Sequence, residues 1–298
     1  MELRLQAPAK INLYLNVGEK RPDGYHEIDS LFQMIDLYDE LQFHERKERI
    51  ELVLIGPRAD RLVGENLVLK AARLLQEASG TRLGAAIRLE KRIPVGSGLG
   101  GGSSDAAATL AGLNRLWGIG WPREELLPLA AQLGSDVPFF LGPPTARVGG
   151  RGERVEKVSL GQLLKIVLVF PGVSIATAWA YAALDERLGL TKDPRKFSIK
   201  RFSNGGQEVL SDLLRQTNDF ELVVLPAYPE VARAKDSLQR NGAVLTRMSG
   251  SGSTVFGLFR EGAAGEKAAI ALRPEWGSEN VWFCHSLKQS SFENVFCG

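Results

Sequence analysis

Pro94-Val95-Gly96-Ser97-Gly98-Leu99-Gly100-Gly101-Gly102-Ser103-Ser104-Asp105 is the part of this sequence best suited to hold an anion. Glycines let a backbone come close to a ligand, and successive N–H groups can converge on negative charge. An Ala-rich stretch from about Asp105 to Trp117 follows and reads as a helix, with Ser103 or Ser104 suited to cap it. A helix N-terminus favours an anion, so the segment reads as a phosphate cradle. Its candidate contacts are Pro94, Gly96, Ser97, Gly98, Leu99, Gly100, Gly101, Gly102, Ser103 and Ser104. Gly96-x-Gly98-x-x-Gly101 also satisfies a dinucleotide fingerprint, but residues 115–121, about 20 positions on, hold no acid to take a ribose hydroxyl. A Walker loop needs a lysine after its last glycine, and here Ser103 follows Gly102. The His-Arg-Asp and Asp-Phe-Gly companions of protein kinases are missing. A plain glycine hairpin is the remaining structural alternative.

Other residues have types that fit phosphate chemistry. Asp136, in Gly134-Ser135-Asp136 just after a helix-like stretch 123–133, is a candidate general base, though an Asp in such a turn also serves as a cap. Lys10 opens an apolar strand, where a lysine is commonly solvated, and Asn12 lies two residues on, hence on the same face. Tyr25 and His26 follow the turn Arg21-Pro22-Asp23-Gly24, and Tyr181 falls on a helix-like stretch 175–188 where core packing is the plain reading. Gly250-Ser251-Gly252-Ser253 joins two strand-like runs and also reads as a tight hairpin. Arg151, in a glycine loop, is a local cation or a solvated side chain; Asn66 opens a helix and reads as a cap or a nucleotide contact. His26, His44 and His285 are scattered, and Cys284-His285 has no partner spacing, so no metal site is expected from protein ligands.

The elements that must position these residues follow from periodicity. Strands are expected over 3–17, 28–43, 50–55, 85–91, 163–170, 243–247, 254–259 and 280–287, and helices from 66 to a stop at Gly80, over 105–117, 123–133, 175–188, 220–239 and 265–272. The order suggests an α+β chain of 298 residues with domains 1–160 and 161–288 and a frayed tail 289–298. The net charge of +2 argues against bulk nucleic acid or an anionic membrane as partner. No run of 18 apolar residues exists, and Met1 to Leu5 lacks a leader's apolar core. Two cysteines near the C-terminus suit a reducing, cytoplasmic setting. Glycine is over-represented, 32 of 298 residues, and concentrates in the loops just named.

Pro94 to Ala108 resembles the second motif of the GHMP kinases, Pro-x-x-x-Gly-Leu-Gly-Ser-Ser-Ala-Ala, departing by an insertion-like glycine after Gly100. Ala7 to Leu13 resembles the first motif, Gly134 to Phe140 the catalytic-aspartate segment, and Thr246 to Ser253 the third motif. Arg21 to His26 resembles the substrate turn of the branch that acts on a cytidine-diphosphate-linked methylerythritol. The resemblance implies a two-domain GHMP kinase fold, an N-terminal domain like ribosomal protein S5 domain 2 and a ferredoxin-like C-terminal domain, with the site between them. It implies ATP with Mg²⁺ as cosubstrate, the metal held chiefly by phosphate oxygens. It also implies that Lys10 pairs with Asp136, keeping that carboxylate ionised. His26, Tyr25 and Tyr181 become a cytosine clamp, Asn12 holds the substrate's polar tail, and Gly250 and Ser251 close over the cleft. Arg151 and Asn66 keep both readings. The expected partner is a small molecule, with neither nucleic acid nor membrane, for a monomer or weak homodimer. A nicotinamide oxidoreductase, an RNA-binding protein and a homoserine- or mevalonate-type kinase are the alternatives.

Overall fold

The computed structural model describes residues 2–58, 66–189 and 212–289. Two sheets organise them. In the first, β1 (Glu2–Lys20) and β2 (His26–Arg46) form a long antiparallel ladder, and β2 also pairs with β4 (Gly84–Glu90) and β5 (Thr145–Gly150). The order is β3-β4-β2-β5-β6, with β1 paired to β2; β3 (Ile50–Ile55) is parallel to β4, and β6 (Arg154–Lys157) is the far edge. Bulges at Pro8/Ala9 and Asn12/Tyr14 bend β1 on both sides of Lys10 and Asn12.

Three helices belong with this sheet. α1 (Leu67–Ser79) buries Val68, Ala71, Ala72 and Leu75, a stripe at helical spacing, and ends at Gly80 with φ +69°. α2 (Gly101–Leu116) is buried along most of its length, which its alanines permit, and packs against α1, α3 (Arg123–Leu133), β1 and β2. The helix begins at Gly101, four residues before the expected Asp105, and neither Ser103 nor Ser104 caps it. Gly100, left-handed at φ +71°, turns the chain into the helix with no side-chain cap, leaving the first N–H groups turned toward the glycine loop. A single turn, α4 (Val137–Phe140), follows Asp136.

The second sheet has the order β10-β7-β9-β8, all antiparallel: β7 (Lys165–Val169), β8 (Leu245–Met248), β9 (Val255–Phe259) and β10 (Val281–His285). The chain order strand, helices, strand, strand, helix, strand is that of a ferredoxin-like unit. Its helices are α5 (Thr177–Gly189), α6 (Glu221–Ala227), α7 (Pro229–Arg240) and α8 (Gly262–Trp276). The single helix expected over 220–239 is two, broken at Tyr228 because Pro229 has no N–H to give and excludes helical backbone at the residue before it. Ile11, Leu13, Leu31 and Ile35 of the first sheet share a buried cluster with Ile166, Leu168 and Phe256 of the second. That apolar seam holds the two sheets together beside the glycine loop. No helix among the described residues is long and apolar enough to cross a membrane. The expected tail beyond residue 289 lies outside the described residues.

Candidate active site

A cavity of about 780 Å³ opens between the two sheets. Every candidate residue read from the sequence lines it except Leu99, Ser104 and Asn66. The glycine loop forms one wall, with Gly96, Gly98 and Gly100 all left-handed at φ +64°, +81° and +71°. It has no room for side chains on its outer side: a Cβ on Gly98 would lie 2.1 Å from the Ser249 carbonyl oxygen. That closeness is built from both halves. The Ser249 hydroxyl donates to the Gly98 carbonyl (2.9 Å), and Thr254 N–H donates to the Ser97 carbonyl (3.0 Å). Asn218 in turn holds the 248–250 turn, donating to the carbonyls of Met248 and Gly250 at 2.8 Å each. Gly250 and Ser251 thus form a strap seated on the loop.

Lys10 and Asp136 face each other across the cavity floor. Lys10 is 3% exposed, with Nζ 3.4 Å from Asp136 Oδ2, 2.6 Å from Asn12 Oδ1 and 4.5 Å from the centre of the Phe32 ring. Its backbone N–H donates to the Leu99 carbonyl (2.9 Å), which ties the strand to the glycine loop. Asn12 is fully buried and donates to Ser30 Oγ at 3.0 Å, so the ammonium is held on a chain of fixed groups. Asp136 stands at the start of α4 without capping it, and its carboxylate remains partly open to the cavity. A carboxylate held beside a fixed ammonium, with an open face toward an anion cradle, can take a proton from a hydroxyl placed between them.

A flat aromatic site lines the same cavity. The His26 and Tyr181 rings stack at 5.1 Å and 17°, and Tyr181 meets Phe220 edge-on at 4.8 Å. Burial, with the charge of Asp136, pushes the Tyr181 hydroxyl up to about 12, so it stays a neutral donor. His26 Nδ1 is 3.1 Å from the Gly18 carbonyl and Nε2 is 3.1 Å from Asp185 Oδ1. Tyr25 is half exposed, with the Arg151 guanidinium 5.2 Å from its ring centre.

Three of the expected contacts do not line this cavity. Leu99 is fully buried in the apolar seam, and its carbonyl accepts the Lys10 N–H. Ser104 points into the protein, because α2 starts early enough to place it inside the helix. Asn66 accepts the Val68 N–H at 2.8 Å as the N-cap of α1, and its neighbour Leu67 lines the cavity instead. Asn66→Ala is therefore expected to cost about 1 kcal/mol of stability while leaving the nucleotide dissociation constant within twofold, read by chemical denaturation and calorimetry. A tenfold loss of affinity would restore the contact reading. The sequence reading missed Asp185, Ser249, Asn218 and Lys91. Asp185 had a usable signal, four residues after Tyr181 on the same helix face; the others are brought in by tertiary folding alone.

Comparison with known proteins agrees with this geometry. Residues 66–142 match the model for the GHMP kinases N terminal domain and residues 199–278 that for GHMP kinases C terminal. A 4-diphosphocytidyl-2-C-methyl-D-erythritol kinase of Symbiobacterium thermophilum is 41% identical over 286 residues, 96% of this chain and all of that one. Its namesake in Pelotomaculum thermopropionicum is 44% identical over 275 residues, 92% of this chain and 94% of that one. Among solved structures, a 4-(cytidine 5'-diphospho)-2C-methyl-D-erythritol kinase superposes with a TM-score of 0.76 at 36% identity, covering 95% of this chain and 99% of the other. A homoserine kinase of Cytophaga hutchinsonii (TM-score 0.66, 21% identity, 96% and 95% covered) shares the fold. A glycine cradle strapped by the second sheet, a Lys–Asp pair beside it and relatives matched over 92–96% of the chain have one common explanation: the chain belongs to the GHMP kinase family.

Proposed function

We propose that this chain transfers the γ-phosphoryl group of ATP to the 2-hydroxyl of 4-diphosphocytidyl-2-C-methyl-D-erythritol, in the non-mevalonate route to isoprenoid precursors. The observation that carries the reading is that one cavity holds an anion cradle, a Lys–Asp pair and a stacked His–Tyr site. The names of relatives 40–44% identical over most of the chain support the same substrate.

In this reading the glycine loop and the first turn of α2 receive the polyphosphate through backbone N–H groups. Asp136 accepts the proton of the attacking hydroxyl as the oxygen–phosphorus bond forms and the bond to the ADP oxygen breaks. Lys10 holds that carboxylate in place and faces the charge that gathers on the transferred group. His26 and Tyr181, with Tyr25 as an outer face, take the cytosine; Asn12 and Arg151 face the polar remainder of the substrate. Mg²⁺ would enter with ATP, held chiefly by the nucleotide, and would neutralise part of the phosphate charge. The cradle fits a polyphosphate because Cβ atoms at Gly98, Gly100 and Gly101 would meet neighbours at 3.0 Å or less on the outer side, leaving the N–H face to the cavity. We further take residues 1–160 and 161–288 as the two domains, and a cytoplasmic monomer or weak dimer with ATP and a small alcohol as its partners.

The test is an ADP-release assay coupled to a reporter, with the cytidylyl substrate beside homoserine and mevalonate. Turnover confined to the cytidylyl substrate is expected; turnover with either of the others alone would reassign the substrate within the family. His26→Ala is expected to weaken binding of the cytidylyl substrate by about 10- to 100-fold, the worth of a stacked ring and a hydrogen bond, and to leave ATP affinity within twofold. Equal losses for both ligands would remove the base site.

A further inference from the structure

Beneath the glycine loop lies a buried charge cluster that the proposed mechanism does not use. Lys91, just beyond β4, is 2% exposed and reaches two carboxylates: Asp39 on β2, fully buried, and Asp105 on α2, 3% exposed. The two acids are held very differently. Asp39 accepts from Lys91 and from the backbone N–H groups of Arg92 (2.6 Å) and Ile93 (2.9 Å), so both its oxygens are satisfied. Asp105 accepts from Lys91 alone, through Oδ2 at 2.7 Å, and its Oδ1 is buried with no hydrogen-bond partner. One ammonium balances one carboxylate, and Asp39 is the better solvated of the two by protein dipoles. An ionised Oδ1 on Asp105 would have nothing to offset its desolvation. The cluster also touches the cradle: Lys91 lines the cavity, and its Nζ lies 3.3 Å from where a Cβ on Gly101 would stand, at the first residue of α2.

We infer that Asp105 is a positioning residue of the anion cradle that works as the neutral carboxylic acid, leaving the Asp39–Lys91–Asp105 cluster without net charge under the polyphosphate, and that its ionisation weakens polyanion binding. The inference rests on the nucleotide site proposed above. An ionised Asp105, one turn into α2, would add a buried negative charge behind the N–H groups that the phosphates need. Burial pushes the Asp105 carboxyl up to about 8; the Lys91 ammonium pulls it down, and Asp39 adds to the rise. Lys91 is itself held raised, since the two carboxylates outweigh its burial. Among the described residues, Lys91 and Asp39 are the charges that act on Asp105, and α3 packs on α2 through the buried Leu126, Leu129 and Ala130. α1 and α4 present Val68, Ala71, Phe139 and Phe140, and Lys10 on β1, which packs on Gly100, is engaged with Asn12 and Asp136. The sign follows from linkage. A bound polyanion raises the Asp105 pKa further, so affinity is complete below the free-state value near 8 and is lost as pH climbs from there through the bound-state value.

The measurement is the dissociation constant of a nonhydrolysable ATP analogue from pH 7 to 9.5, a range chosen because its upper part leaves the phosphates' own charge constant. Wild type is expected to weaken by about tenfold, one pK unit of coupling, while Asp105→Asn keeps its pH 7 affinity throughout. The full chain labelled with ¹³C at aspartate side chains supplies a readout independent of any variant's folding: one carboxyl should titrate near 8 and shift upward with nucleotide. A flat wild-type profile with tight binding at pH 7, an Asp105→Asn profile that weakens as wild type does, or a spectrum with no carboxyl titrating above pH 6 would overturn the inference alone. No nucleotide binding at pH 7 would overturn it together with the proposed function.

Discussion

Asp136→Asn is expected to lower kcat by about 10²- to 10⁴-fold, the usual worth of a positioned general base, while binding both substrates as wild type does. The argument is geometric. Asparagine fills the same space and can still accept from Lys10, but it cannot take a proton. Asp136 lines the same cavity as the cradle with its carboxylate partly exposed, and Lys10 Nζ stands 3.4 Å from it. Folding should survive the change. Lys10 keeps Asn12 Oδ1 at 2.6 Å and the face of Phe32 at 4.5 Å, so its buried charge is not stranded. Asp136 itself is nearly a third exposed and caps nothing, so its charge contributes little to stability. Single-turnover kinetics with saturating substrates, beside a thermal melt and calorimetric binding constants, separate the outcomes. Turnover within threefold of wild type in a folded variant would take the base role away from Asp136; a loss of substrate affinity instead would make it a binding residue.

What the sequence made legible here depended on how restrictive each position is. The glycine loop could be read because a cradle needs left-handed residues and absent Cβ atoms, and Gly96, Gly98 and Gly100 stand where φ is +64° to +81°. Lys10 and Asn12 could be read as one face because a strand repeats every two residues, although the bulge after Asn12 could not. The start of α2 differs from the reading: Ser103 and Ser104 have the types of a cap before a helix at Asp105, whereas Gly100 opens the helix without a side-chain cap. That departure from ordinary helix grammar falls at the proposed function, where local rules are commonly set aside. The break at Tyr228 was visible in Pro226 and Pro229, but apolar periodicity across both helices hid it. Lys91, in Glu90-Lys91-Arg92, looks like any solvated charge run. Its partners lie 52 residues before it and 14 after it, and only the crossing of β2, β4 and α2 brings them together. The turn at 248–250 is similar, since its anchors Asn218 and Asn12 come from opposite ends of the fold.

Two glycines in the loop, four residues apart, should answer alanine with opposite changes in stability. Gly98 sits at φ +81°, which costs an L-residue about 1–2 kcal/mol, and a Cβ there would stand 2.1 Å from the Ser249 carbonyl oxygen and 3.0 Å from that of Gly252. Backbone cannot yield as a side chain does, so the strap must lift away from the loop, breaking the Ser249–Gly98 and Thr254–Ser97 hydrogen bonds that join the two halves. Gly98→Ala should therefore lose both stability and nucleotide affinity, the latter by tenfold or more. Gly102 is a helical residue of α2 whose nearest neighbour for a Cβ is Leu67 Cδ1 at 3.6 Å, with the cavity beside it. Alanine there gains about 0.5–1 kcal/mol of helix propensity, yet sets a methyl group on the wall that receives phosphate. Gly102→Ala should melt higher and bind nucleotide more weakly. The joint pattern separates a ligand cradle from a structural hairpin. A hairpin predicts that affinity follows stability in both variants, so a Gly102→Ala protein that is more stable and binds ATP as wild type does would show that the phosphates lie somewhere other than the first turn of α2.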